Sequence, residues 1–117
     1  MLALQTLRER LAPIVQISVV AAVSKEEFWL SPAYHRASAA IHFTWKPDWP
    51  AVRELLPAIE TALAPFNPRP HWAKLFTLPA DEVRSRYERL DDFVELAGRV
   101  DPDGKLRNDF LNRFVFG

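Results

Sequence analysis

Residues 39 to 45 read AAIHFTW, and their alternation sets Ala39, Ile41, Phe43 and Trp45 on one face of a strand and Ala40, His42 and Thr44 on the other. Such a strand buries its first face and leaves two hydrogen-bonding side chains on its second. Another strand is predicted over IVQISVVAAV (14 to 23), which is rich in β-branched residues. There Gln16, Ser18, Val20 and Ala22 alternate with Val15, Ile17, Val19, Ala21 and Val23.

Helical periodicity frames these strands. Leu4, Leu7 and Leu11 recur at i, i+3 and i+7, predicting a helix over 2 to 12 that Pro13 ends. Asp48 is placed to cap a helix with Pro50 in its first turn and an apolar stripe of Val52, Leu56, Ile59 and Leu63. Pro57 is expected to kink that helix and Pro65 to close it. LPADEV begins a further helix, 90 to 99 another with Leu90, Phe93, Val94 and Ala97 inward, and DPDGK (101 to 105) is a turn. The segment 24 to 38 is a polar connection with a turn at Ser31-Pro32, anchored by Phe28, Trp29 and Tyr34. NDFLNRFVFG closes the chain, with Phe110, Leu111, Phe114 and Phe116 for docking. The pattern predicts a single α+β domain, an antiparallel sheet packed with helices.

At 117 residues the chain is long enough for a genuine core. Lys plus Arg and Asp plus Glu each count 15, so no excess positive charge marks a nucleic-acid or anionic-membrane binder. With no cysteine there is no disulfide framework and no thiolate metal site. An early run of charges argues against a signal peptide, and no apolar run reaches the ~20 residues a membrane span needs, so a cytoplasmic protein is expected.

Motif chemistry is sparse. His35, His42 and His71 form no H-x3-H or H-E-x2-H pair, so no metal is expected, and DPDGK lacks the glycine and glutamate of a calcium loop. No G-x-S-x-G, G-x-G-x-x-G or P-loop occurs. RSRYERL, with Arg84, Arg86, Tyr87 and Arg89 among acids, reads as a solvated helix face. Two stretches stay open. IHFTW reads either as the wet side of a half-buried sheet or as a binding edge. NPRPHWAKLF reads either as a polyproline-like segment anchored by Trp72, with Arg69 and Lys74 in water, or as a stiffened binding loop.

Taken together, FWLSPAY, AIHFTW, PRPHWAKLFTL, RYERLDDF and DPDGKLRNDFL resemble the C-terminal part of the FAD-linked sugar-alcohol oxidases and the related aldonolactone oxidases, such as D-arabinono-1,4-lactone oxidase, within the vanillyl-alcohol oxidase superfamily. The resemblance covers nearly the whole chain in order. It implies that residues 1–117 are a substrate-binding, cap-like domain of an oxidase that passes hydride from a carbinol carbon to FAD and reoxidises the flavin with oxygen. It implies that His42 and Thr44 hold substrate hydroxyls, a polyol's or an aldonolactone's. Lys74 is implied to reach both substrate and flavin as the catalytic lysine, on a loop stiffened by its prolines and anchored by Trp72. Where the family carries a Glu-x-Arg pair that grips the reacting hydroxyl, this sequence has Val19 and Ala21. The family's FAD-binding domain has no counterpart in these residues, so the chain alone is expected to be inactive, either a non-catalytic remnant or one that needs a separate FAD-domain subunit as partner. The alternative is a self-associating interaction module, a homodimer, motivated by 49% hydrophobic content and the late aromatics Phe110, Phe114 and Phe116.

Overall fold

The computed structural model describes residues 2–117 and carries six α-helices and one two-stranded antiparallel sheet among them. In chain order these are α1 (Leu2–Gln5), α2 (Arg8–Leu11), β1 (Val15–Val23), β2 (Ser38–Trp45), α3 (Trp49–Leu63), α4 (Ala80–Ser85), α5 (Leu90–Val100) and α6 (Asp109–Leu111), the last running into a π-helical turn over Asn112–Phe116. The predicted α+β class holds. The N-terminal helix breaks into α1 and α2 around Thr6 and Leu7, a departure from the single helix over 2 to 12. Two four-residue pieces nucleate poorly alone and rely on packing; Leu4 is buried, with Leu7 and Leu11 against the same cluster.

β1 and β2 form a ribbon whose register pairs Val15 with Trp45, Ile17 with Thr44, Val19 with His42, Ala21 with Ala40 and Val23 with Ser38. A bulge lies between Val15 and Ile17. One extra residue in β1 reverses which face its side chains take. Val15 therefore shares the face of Trp45, while Ile17 shares that of Thr44. Strict alternation in the sequence places Val15 and Ile17 together, and the bulge is why the structure separates them.

The inward face of β2 packs Ile41, Phe43 and Trp45 on α3 and the N-terminal helices, around buried Leu4, Leu55 and Ile59. α3 starts where its sequence says it should: the Asp48 carboxylate accepts from the Ala51 amide at 3.2 Å, and Pro50 sits in the first turn, where a missing N–H costs nothing. The helix runs on through Pro57, whose ring is exposed. A second core gathers Val83, Tyr87, Leu90, Phe114 and Val115, with Trp72, Phe76 and Phe110 packed against them. The closing aromatics are therefore spent on this core: Phe114 is buried and Phe110 and Phe116 are half-buried, so they do not form the exposed patch expected for a dimer.

Candidate functional site

The outer face of the ribbon carries the predicted strand pair. His42 and Thr44 sit two residues apart on β2, directly across from Val19 and Ile17 on β1, with the Ala21–Ala40 pair extending the same row. This face is open: Ile17 is 59% and Val19 48% exposed, and His42, Ala21 and Ala40 are exposed as well. The two faces of β2 divide the labour, since burying Ile41, Phe43 and Trp45 fixes the strand and leaves His42 and Thr44 facing out. The positions of Val19 and Ala21 lie on this same surface, which the resemblance alone could not establish.

Lys74 is exposed on the segment between α3 and α4. Its amide donates to the His71 carbonyl at 3.0 Å, and the Ala73 amide donates to His71 Nδ1 at 3.1 Å, so the backbone turns tightly just before the lysine. Trp72 is the anchor the sequence promised. Its indole N–H donates to the Leu30 carbonyl at 2.8 Å, and its ring stacks on Tyr87 with centroids 4.8 Å apart. Among the described residues no hydrogen bond or ion pair joins the Lys74 ammonium to His42 or Thr44; Trp72 and Phe76, flanking the lysine in sequence, pack on the second core, while Ile41, Phe43 and Trp45 of β2 pack on the first.

What the sequence did not show is how this loop is held. Arg69, expected in water, is instead partly buried: its Nε donates to the Arg86 carbonyl at 2.7 Å and its Nη1 to the Tyr34 carbonyl at 3.0 Å, with the guanidinium 5.2 Å from the Tyr87 ring centroid. Arg86 donates to the Pro68 carbonyl and pairs with Glu82, and Arg36 donates to the Asn67 carbonyl at 2.9 Å. Prolines supply no N–H, so the carbonyls of this proline-rich run lack regular partners and the arginines take that place. Apart from the Arg86–Glu82 pair at i, i+4, these contacts span 17 to 35 residues of sequence and leave no local pattern to read. Burial lowers the Arg69 pKa, and nearby Arg36 lowers it further. Burial pushes the Tyr87 phenol up to about 12, against the opposing pull of Arg69, Arg36 and Arg86.

No group of histidines, acids or cysteines that could hold a metal ion occurs among the described residues. An open cleft of about 720 Å³ lies between α4, the start of α5 and the C-terminal turn, lined by Asp81, Arg84, Tyr87, Leu90, Asp91 and Arg113 among others, and it includes none of His42, Thr44 or Lys74. No helix of the described residues is long and apolar enough to cross a membrane.

Comparison with known proteins gives these elements a context. Residues 5–114 match the family model for D-arabinono-1,4-lactone oxidase. The chain is 44% identical over 115 residues to an alditol oxidase of Streptomyces sp. (strain IKD472 / FERM P-14339), a match covering 98% of this chain and 28% of that protein. It is 44% identical over 50 residues to a long-chain alcohol oxidase of an uncultured marine euryarchaeote, covering 43% of this chain and 10% of that one. It is 29% identical over 110 residues to an L-gulono-1,4-lactone dehydrogenase of Mycobacterium tuberculosis (strain CDC 1551 / Oshkosh), covering 92% of this chain and 25% of the relative. The chain thus spans about a quarter of the length of the alditol oxidase and of the dehydrogenase.

Proposed function

Since this chain belongs to the D-arabinono-1,4-lactone oxidase family, we propose that residues 1–117 are the C-terminal substrate-binding, cap-like domain of a cytoplasmic FAD-dependent oxidase. In the complete enzyme it oxidises a carbinol, the group that sugar alcohols, aldonolactones and simpler alcohols share, with oxygen as acceptor. The observation that carries this reading is the outer ribbon face, where His42 and Thr44 stand side by side, fixed from behind by Ile41, Phe43 and Trp45. His42 and Thr44 hold and orient hydroxyl groups of the ligand, and the Lys74 ammonium, on its braced loop, supplies positive charge beside the reacting carbon and the flavin. Bracing before the ligand arrives lowers the cost of ordering a long side chain.

FAD, when bound, accepts the hydride. The residues of this chain do not fit the nucleotide half of that cofactor. Of the glycines, Gly98 lies within α5, Gly104 in the DPDGK turn at φ +66° and Gly117 at the last position, and none opens a phosphate-binding loop onto a helix. Under this proposal FAD is held by polypeptide outside these residues, and the ribbon face meets only the ligand and the ring system.

Grafting residues 2–117 in place of the matching segment of the Streptomyces alditol oxidase tests the assignment. Flavin absorbance is expected to persist, with peroxide release on a panel of alcohols and lactones, and Lys74→Ala or His42→Ala is expected to lower turnover by about tenfold or more. A graft that keeps its flavin and turns over equally well with either substitution overturns the roles given to these residues.

A second reading is favoured by a separate observation. The ribbon has two open edges and no Lys, Arg, Asp or Glu in either strand, a composition suited to pairing with another copy of the chain.

A further inference from the structure

Resting on the reading that the outer ribbon face borders the ligand, we propose that Ile17, Val19 and Ala21 determine its substrate class: an alcohol with one hydroxyl and an apolar body, in preference to a polyhydroxylated compound. Four cross-strand pairs build the face, Ile17 with Thr44, Val19 with His42, Ala21 with Ala40 and, at its end, Val23 with Ser38. Its polar groups are confined to the β2 half. The β1 half offers no side-chain donor or acceptor, and opposed residues lie only about 5 Å apart at Cβ, so a ligand hydroxyl held by His42 and Thr44 brings the adjacent carbons over Val19 and Ile17.

Chain chemistry decides what can lie there. A sugar alcohol carries a hydroxyl on every carbon, and each one pressed on Val19, Ile17 or Ala21 loses water without gaining a partner, weakening binding on the order of tenfold. A methylene at the same place gains about fourfold instead. Ile17 at 59% and Val19 at 48% exposure still have apolar surface to cover, and no ionic side chain on either strand offers a compensating grip. The charged groups nearest in sequence, Arg10, Lys25, Arg36 and Lys46, lie beyond the ends of the strands.

Titration of the isotopically labelled full chain with 1-hexanol and, separately, with xylitol, followed by amide nitrogen–proton correlation spectra, reads the preference directly. Hexanol is expected to shift the amides of residues 17, 19, 21, 40, 42 and 44 in a saturable way, while xylitol at the same concentration leaves them in place. Val19→Thr with Ala21→Ser, two near-isosteric changes at exposed strand positions, is expected to weaken the hexanol response several-fold and to bring the two ligands closer together. Xylitol shifting these residues as strongly as hexanol overturns the substrate class while leaving the ribbon face as the site. Shifts from neither ligand overturn the site and the inference with it. Hexanol shifts spread over Leu75, Leu96 and Leu106 as well mark general apolar adsorption and also overturn it.

Discussion

Tyr87 shows how a single side chain can serve packing and leave its polar atom unserved. Its ring stacks on Trp72 and has the Arg69 guanidinium 5.2 Å from its centroid, and the residue is 3% exposed, yet its buried hydroxyl has no hydrogen-bond partner among the described residues. Such a group is held neutral, which is the physical content of its pKa near 12. The folded value stands above the ordinary phenol value of 10.0, so the stabilisation is complete below about pH 10 and disappears as pH climbs through 12. Urea unfolding across that window should show stability falling by about 3 kcal/mol at most, and Tyr87→Phe should remove that share of the fall while costing little at neutral pH, because no bond is lost. Arg69→Leu is the opposite case. It strands the Arg86 and Tyr34 carbonyls and should lower stability by about 2 to 3 kcal/mol in the same measurement.

At the scale of elements, legibility in the sequence tracks how local the cause is. The Asp48 cap, Pro50 and the stripe of α3 are local, and all three are where periodicity puts them; Asp48→Ala should cost about 1 kcal/mol of stability by urea denaturation. Leu55 is buried too, in the same cluster as Ile59, at the i+3 position from Val52 that the i, i+4, i+7 count passed over. Leu55→Ala should cost about 2 to 5 kcal/mol, checked the same way. The outward direction of His42 and Thr44 was legible for the same local reason as α3, since alternation along β2 is unbroken. On β1 the bulge was not legible, and neither was the three-arginine brace, as both depend on partners far away in the chain. Residues 17, 19 and 21 acquire their meaning only after the register is fixed.

The whole molecule is open for its mass. A 13.5 kDa monomer usually exposes about 6,500 Å², and this chain exposes 8087 Å². Its radius of gyration is 15.9 Å, against about 13.4 Å for a compact domain of this length. The roughly 1,500 Å² of surplus exceeds the ~800 Å² that each partner contributes to an ordinary interface. Much of the cause is visible in the ribbon, where Ile17, Val19 and Val20 are each about half exposed and both edges are unpaired. Natural edge strands are kept apart by charge, and this ribbon has none among its strand residues apart from what His42 can carry. When the 117-residue chain is the only polypeptide present, the open edge therefore faces other copies of itself, with zero formal net charge to keep them apart. Sedimentation velocity should show association that rises with concentration. Ala22→Lys places an ammonium at an exposed position of β1, away from the His42 and Thr44 face, and should return the chain to a monomer without lowering its unfolding midpoint. A wild-type chain that stays monomeric up to the highest accessible concentration would show that the open edge does not pair with other copies of the chain.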